Sequence, residues 1–376
     1  MRLLYVIDSL GVGGAERSLL DIIPRVGVSA SILRLSEPGD LDSEFEGAGI
    51  KVLRGDLPKR ASALTAARLV ERTVAVIRPD IVHSTLFRAD IAARLACIDA
   101  PLISSFVNDS YAAIRYQSLS PRARLKLELV RLVDAATARR ACVFVSNSAS
   151  IARSNGVALH VSNEDIHTIY RGRDLGRFHP PSARERDEAR QANGLGDVFV
   201  VVTVGRLLAR KGHRELLEAF ARVRREVPSA LLVVGDGMER ERLEALRDEL
   251  VLGDDVRFLG TRHDVATLLR AADLFAFPSH YEGFPGALIE AMASGLPCVA
   301  TDIEVHREAI VDGENGRLVR VCDPSALATA IVEIATEPKQ RARMAARARE
   351  TALSMFDVNR VAKSYREIYQ KVAGKL

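Results

Sequence analysis

Residues 198–227 read VFVVVTVGRLLARKGHRELLEAFARVRREV, and this stretch decides the fold. Residues 198–205 form an unbroken apolar run rather than an alternating one, which predicts a strand buried on both faces, as in a parallel sheet. A turn carrying Gly205, Arg206, Lys211 and Gly212 follows, and residues 214–227 then repeat apolar side chains at helical spacing. One strand, one tight turn and one amphipathic helix make a βα unit. The same grammar extends outward in both directions. Strand candidates at 3–7, 30–35, 81–83, 102–106 and 143–147 precede it, others at 230–235, 256–259, 274–278 and 298–301 follow it, and most are continuous apolar runs. Helix candidates at 61–77, 239–251 and 288–294 lie between them. The expected class is α/β, built of doubly wound parallel sheets.

The pattern resets over residues 171–183, RGRDLGRFHPPSA, where Pro180 and Pro181 suit an exposed linker. Two Rossmann-like domains are therefore expected, facing across a ligand cleft at the carboxyl ends of their strands. The boundaries are 1–172 together with the C-terminal helix 357–376, and 183–356. Residues 358–372 place Val361, Tyr365, Ile368 and Tyr369 on one helical face.

With 48% hydrophobic and 27% charged residues, the 376-residue chain has an ordinary globular composition. A formal charge of +4 is too small to imply nucleic acid, and fits anionic small substrates or an anionic membrane surface equally well. Cys97, Cys142, Cys298 and Cys322 are far apart, with no C-x-x-C and no His-rich neighbourhood. Cys142 and Cys298 read as small buried residues in a reducing cytosol. No segment has the pattern of a signal peptide or the ~18 apolar residues of a membrane span. A cytoplasmic protein is expected, peripheral at most to the inner face of the membrane.

Chemistry concentrates in residues 279–301, SHYEGFPGALIEAMASGLPCVAT. Glu282 sits in a Gly/Pro-rich loop, and Glu290 follows on the helix that the loop opens. Small loop residues let backbone N–H groups approach an anion, and a helix N-terminus favours negative charge. A carboxylate farther along that helix repels phosphate but accepts two hydrogen bonds from a vicinal diol. Arg206 and Lys211 add two cations at the mouth of a βα turn. Each contributes about 4 kcal/mol of gross attraction to a phosphate oxygen about 4 Å away. Together these residues suit a nucleotide-sugar.

Gly205-Arg206 with Lys211-Gly212, then Gly235-Asp236-Gly237, then Glu282-Gly283-Phe284-Pro285 with Glu290, resemble the donor half of the family-4 glycosyltransferases, group 1 type. The likeness runs from Gly13-Gly14-Ala15-Glu16 through Asp312-Gly313-Glu314-Asn315-Gly316 to the last helix. It implies the GT-B architecture, with the last helix crossing back onto the first domain, and a retaining enzyme that needs no metal or cofactor. It also implies catalytic roles for Glu282, Arg206 and Lys211. Arg206 and Lys211 would hold the diphosphate beside Gly205, and Glu290 the ribose. Glu282 and the backbone of Gly283, Phe284 and Pro285 would hold the sugar and its phosphate. Gly13 and Gly14 would form a flexible donor loop.

The first domain departs from the family's pattern. Residues 105–109 read SFVND where many relatives carry a histidine, Thr85 replaces the second histidine of a His-x-His, and Arg171 stands where a linker asparagine is usual. His83, Asn108 and Asp109 remain as acceptor-side residues. A structural histidine and a loop or helix-cap role are the competing readings. Asp40-Leu41-Asp42 spells a D-x-D, read here as helix capping rather than a metal site. Residues 121–140 carry Leu125, Leu129, Leu132 and Val133 on one face, with arginines and a lysine elsewhere. That stripe is expected to pack on the first domain, with an anionic bilayer as the alternative.

The expected partners are a UDP- or GDP-sugar donor and a glycan or lipid-linked acceptor. A nucleotide-sugar-binding protein without transfer activity is the second reading. A dinucleotide-dependent dehydrogenase, resting only on the glycine turn at residues 11–14, is a third.

Overall fold

In the computed structural model, which describes residues 1–112, 115–116 and 119–374, the chain divides into two compact units. Met1–Gly172 with Val358–Leu376 form the first, and Arg173–Asp357 the second. The first holds seven strands: β1 (Arg2–Ile7), β2 (Ser29–Arg34), β3 (Lys51–Arg54), β4 (Ile81–Thr85), β5 (Leu102–Phe106), β6 (Val143–Ser146) and β7 (Ile166–Thr168). They are parallel, in the order β3-β2-β1-β4-β5-β6-β7.

The second unit holds β8 (Phe199–Val204), β9 (Ser229–Val234), β10 (Val256–Gly260), β11 (Leu274–Phe277), β12 (Cys298–Thr301) and β13 (Gly316–Val319). Their order is β10-β9-β8-β11-β12-β13, again parallel. In each sheet the winding reverses beside the unit's first strand, between β1 and β4 and between β8 and β11. Loops at such a reversal diverge and leave a crevice at the carboxyl ends of the strands.

The central strands are buried on both faces because helices cover both. On one face of the second sheet, Leu216, Leu217, Phe220 and Val223 of the His213–Glu226 helix pack against Val201, Leu231 and Val233. In the first unit the Val358–Ala373 helix buries Val361, Tyr365, Ile368 and Tyr369 against Tyr5 and the Leu19–Ile22–Ile23 face of the Gly14–Val26 helix. Each buried aliphatic side chain there contributes about 1.5–3 kcal/mol.

Three expectations give way. Cys142 is exposed, whereas Cys298 is buried in β12. Asp42 does not cap the helix it opens. It lies 3.1 Å from Arg34 and 2.9 Å from Arg54, and charge pairing decides its position.

The Pro121–Ala138 helix also turns the other way. Leu125, Leu129, Leu132 and Val133 are 50–65% exposed, and Leu127, Asp134 and Ala138 face inward. Asp134 anchors that inner face, 2.5 Å from Arg94 and accepting from the Tyr111 hydroxyl at 2.6 Å. Among the described residues no helix is long and apolar enough to cross a membrane.

Candidate active site

At the second unit's reversal point, the turn after β8 is a single 3-10 turn, Ala209–Lys211, ending at Gly212 with φ of +69°. A Cβ at Gly212 would collide with the Pro278 carbonyl, so glycine lets this turn close onto the loop after β11. Gly235, at φ +132°, does the same between the turn after β9 and the Gly205 carbonyl. Three βα turns thereby meet backbone to backbone, and their charged side chains share one place.

Lys211 Nζ lies 2.5 Å from Glu282 Oε1, and Arg210 Nη1 lies 3.4 Å from Oε2. The Lys211 and Glu282 side chains are only 12% and 7% exposed, so the pair is largely shielded from water. Burial pushes the Glu282 carboxyl up, but the Lys211 and Arg210 cations outweigh it and hold the group below its ordinary range. Burial lowers Lys211, with help from Arg210 and Arg206, although Glu282 opposes the shift. Lys211 also stands 5.0 Å over the Phe277 ring. Arg210 stacks on Tyr281 and donates to its carbonyl at 3.0 Å.

Arg206 is exposed, and among the described residues nothing holds its guanidinium. Lys211 and Glu282 are thus a built pair, and Arg206 is a free cation beside it.

Glu290 sits on the Gly286–Ala293 helix and accepts from Arg173 Nε at 2.6 Å. Arg173 is buried, and its guanidinium lies against Gly286, where any side chain would displace it. A carboxylate accepts several hydrogen bonds, so this contact fixes Glu290 without using up its acceptor capacity. Pro285 precedes that helix and has no N–H, so its backbone cannot donate to an anion there. Phe284 is buried against Phe356.

Sequence reasoning missed Arg173, Arg210 and His213. Arg210 and His213 stood inside a run already singled out, but a turn's sequence does not say which neighbours point inward. His213 is 5% exposed and burial lowers it to about 4, so it is neutral. Its Nδ1 is buried without a partner among the described residues.

The first unit corrects two more expectations. His83 is not at a strand end. It lies mid-strand in β4, fully buried, with Nδ1 2.8 Å from the Tyr369 hydroxyl and Nε2 2.8 Å from Ser105 Oγ. Burial lowers it to about 3. It is a core histidine joining β4 to the C-terminal helix, not an acceptor-side group. Gly13 and Gly14 are the N-cap and first residue of the Gly14–Val26 helix, so the open segment is residues 8–13.

Asn108 is exposed, and its carbonyl accepts from Asn155 at 2.9 Å. Asp109 accepts from Ser154 at 2.7 Å. Both stitch the loop after β5 to the Ala149–Leu159 helix, whose own N-cap is Ser148. Asp8, unread in the sequence, follows β1 and accepts from the Ala89 N–H at 2.6 Å, where burial raises its carboxyl to about 6.

Residues 12–177 match the family model Glycosyltransferase Family 4, and residues 185–351 match Glycosyl transferases group 1. The lipopolysaccharide core biosynthesis glycosyltransferase LpsE of Rhizobium meliloti is 30% identical over 261 residues, covering 68% of this chain and 73% of that protein. The D-inositol 3-phosphate glycosyltransferase of Corynebacterium urealyticum is 28% identical, across 97% of this chain and 91% of its own length. Among solved structures, Anabaena Alr3699/HepE in complex with UDP is similar with a TM-score of 0.85 and 25% identity, covering 99% of this chain and 100% of that one. Two parallel α/β sheets, the cationic turn after β8 and these likenesses agree: the chain belongs to the family-4 glycosyltransferases and has the GT-B fold.

Proposed function

We propose that the protein is a retaining glycosyltransferase that moves a sugar from a nucleoside diphosphate sugar to a hydroxyl of a glycan or lipid-linked acceptor. The observation that carries this reading is the Lys211–Glu282 pair, shielded from water, with Arg206 unpaired beside it. Cations there meet the charge that develops on a departing diphosphate, which is the part a metal plays elsewhere. The transfer step then requires none. UDP is the favoured nucleotide, supported by the Anabaena protein's complexes with UDP and with UDP and glucose.

Glu282, held ionised, is a hydrogen-bond acceptor for sugar hydroxyls rather than a general acid. In the proposed step the acceptor oxygen forms its bond to the anomeric carbon on the face from which the diphosphate leaves. The anomeric C–O bond breaks with its electron pair on the phosphate, and the acceptor proton passes to a phosphate oxygen. Positioning and charge stabilisation are the protein's contribution.

The test is a thermal-shift screen with UDP, GDP and ADP and their sugars, followed by transfer to a panel of acceptors with the product's anomeric configuration read by NMR. An α-linked product from an α-configured donor, at a rate unchanged by chelator, is expected. An inverted product overturns the mechanism, and donor binding without transfer overturns the activity.

The exposed stripe of the Pro121–Ala138 helix supports an anionic membrane as the surface on which the acceptor is met. Leu125, Leu129, Leu132 and Val133 lie open to solvent, with Arg122, Arg124, Lys126, Arg139 and Arg140 exposed nearby. Sedimentation with phosphatidylglycerol vesicles should fall sharply for Leu125→Glu with Leu129→Glu. Unchanged sedimentation removes the membrane contact.

A further inference from the structure

We propose that Glu215, His280 and Cys322 form a binding site for a thiophilic divalent cation of the zinc class. His280 Nε2 lies 3.0 Å from Glu215 Oε1 and 3.6 Å from Cys322 Sγ. The three donor atoms all lie within 4.8 Å of one another.

A nucleophile relay would use both ring nitrogens, one facing the thiol and the other the carboxylate. Here a single nitrogen faces both, so the three donor atoms cluster about one place. That is the geometry of a chelate. Zinc–ligand bonds of about 2.0–2.3 Å at tetrahedral angles put N and S about 3.6 Å apart, and N and O about 3.4 Å apart. The observed separations match the first and fall short of the second by a few tenths of an ångström, which a carboxylate rotation supplies.

The ligands stand on firm backbone. Glu215 is in the first turn of the His213–Glu226 helix. His280 follows β11, and its N–H donates to the Arg210 carbonyl at 2.8 Å. Cys322 occupies the left-handed region at φ +58° in the turn after β13. Its neighbour Asp323 caps the Pro324–Thr336 helix by accepting from the Ala326 N–H at 2.9 Å.

A thiolate and a carboxylate neutralise a dication, and the imidazole completes a three-ligand set with one position left for water. Sulfur and nitrogen donors select against calcium and magnesium, which take oxygen. Exposure of Cys322 provides the entry path. On binding, the sulfur–metal bond replaces S–H and the proton passes to solvent.

Cobalt(II) added to the full chain tests this directly, without reference to sugar transfer. One equivalent should produce a thiolate-to-cobalt charge-transfer band and the intense visible bands of a tetrahedral centre, both erased by zinc. Zinc affinity, measured against a chromophoric chelator, should fall by more than about 100-fold in Cys322→Ser. His280→Gln, which keeps the thiol, should weaken zinc comparably and collapse the tetrahedral bands. A chain carrying Cys97→Ser and Cys142→Ser, the other exposed thiols, should keep the full spectrum. A charge-transfer band that is absent from the wild type, persists in Cys322→Ser, or vanishes in the Cys97/Cys142 variant overturns the proposal.

Discussion

Replacing Lys211 by Met keeps most of the stem's volume and deletes the ammonium. At an effective dielectric of about 20, the 2.5 Å contact with Glu282 is worth about 7 kcal/mol gross, and the 3.4 Å contact with Arg210 about 5. Deleting one partner of a buried pair costs about 3–5 kcal/mol, because the other charge stays buried. Arg210 remains, so a net loss of about 2–3 kcal/mol is expected. The second unit spans Arg173–Asp357, and in a domain of that size the loss lowers the thermal midpoint by about 4–12 °C.

Adding Glu282→Gln to Lys211→Met removes the stranded charge and should return most of that stability. Turnover should not return. If Lys211 faces the diphosphate, both the single and the double variant lose on the order of 10²–10³ in nucleoside diphosphate release. Acidity supplies a further check. In the wild type Glu282 is held below its ordinary 4.5, so its stabilisation is present above that value and is lost as pH falls through the lowered one. Without Lys211 only Arg210 opposes burial, so the variant's carboxyl lies above the wild type's and its deficit should shrink as pH falls. An unchanged midpoint in Lys211→Met refutes the shielded pair. Turnover restored in the double variant shows that Lys211 acts only through Glu282.

Arg206→Ala separates charge from packing: an exposed, unpaired side chain should leave the melting midpoint alone and lower turnover by about 10²–10³. Equal rates would remove Arg206 from the diphosphate. His83→Phe should cost about 1–3 kcal/mol through the lost Tyr369 and Ser105 bonds while leaving turnover per folded molecule intact. A turnover loss at unchanged stability would restore an acceptor role. Asp8 rises from 3.8 to about 6, so its contribution is complete below 3.8 and disappears as pH rises through 6. Asp8→Asn should therefore melt higher than the wild type at pH 8, by up to about 3 kcal/mol in stability, with a flatter dependence on pH; matching pH profiles would show that Asp8 does not titrate there.

The sheets were legible where strands are buried on both faces, because burial writes itself as an unbroken apolar run. β8 and β11 are such strands. β3, β7 and β13 were not legible, and each lies at a sheet edge. Lys51–Arg54 buries only Val52, and Ile166–Thr168 buries none of its side chains. An edge strand is held by its backbone ladder, which leaves little trace in side-chain type. The exposed stripe of the Pro121–Ala138 helix misled for the complementary reason. Leucines at helical spacing look alike whether they face a core or water. The deciding fact was that Asp134, an acid, has its partners Arg94 and Tyr111 on the inner side.

The candidate site divides in the same way. Lys211 and Gly212 were legible because turn chemistry is local: a strand, a glycine and a cation within a few residues determine where the side chain emerges. Arg173 and Glu290 are 117 residues apart, and only the folding of the linker's end onto the Gly286–Ala293 helix joins them. His280 and Cys322 are 42 residues apart, on the loops after β11 and β13, and Glu215 follows β8. No spacing rule connects those three positions, because the order of strands in the sheet does. Ligands spaced irregularly along the chain are passed over by any search on sequence interval when strands distant in sequence bring them together at their carboxyl ends, which is where a doubly wound fold gathers its chemistry.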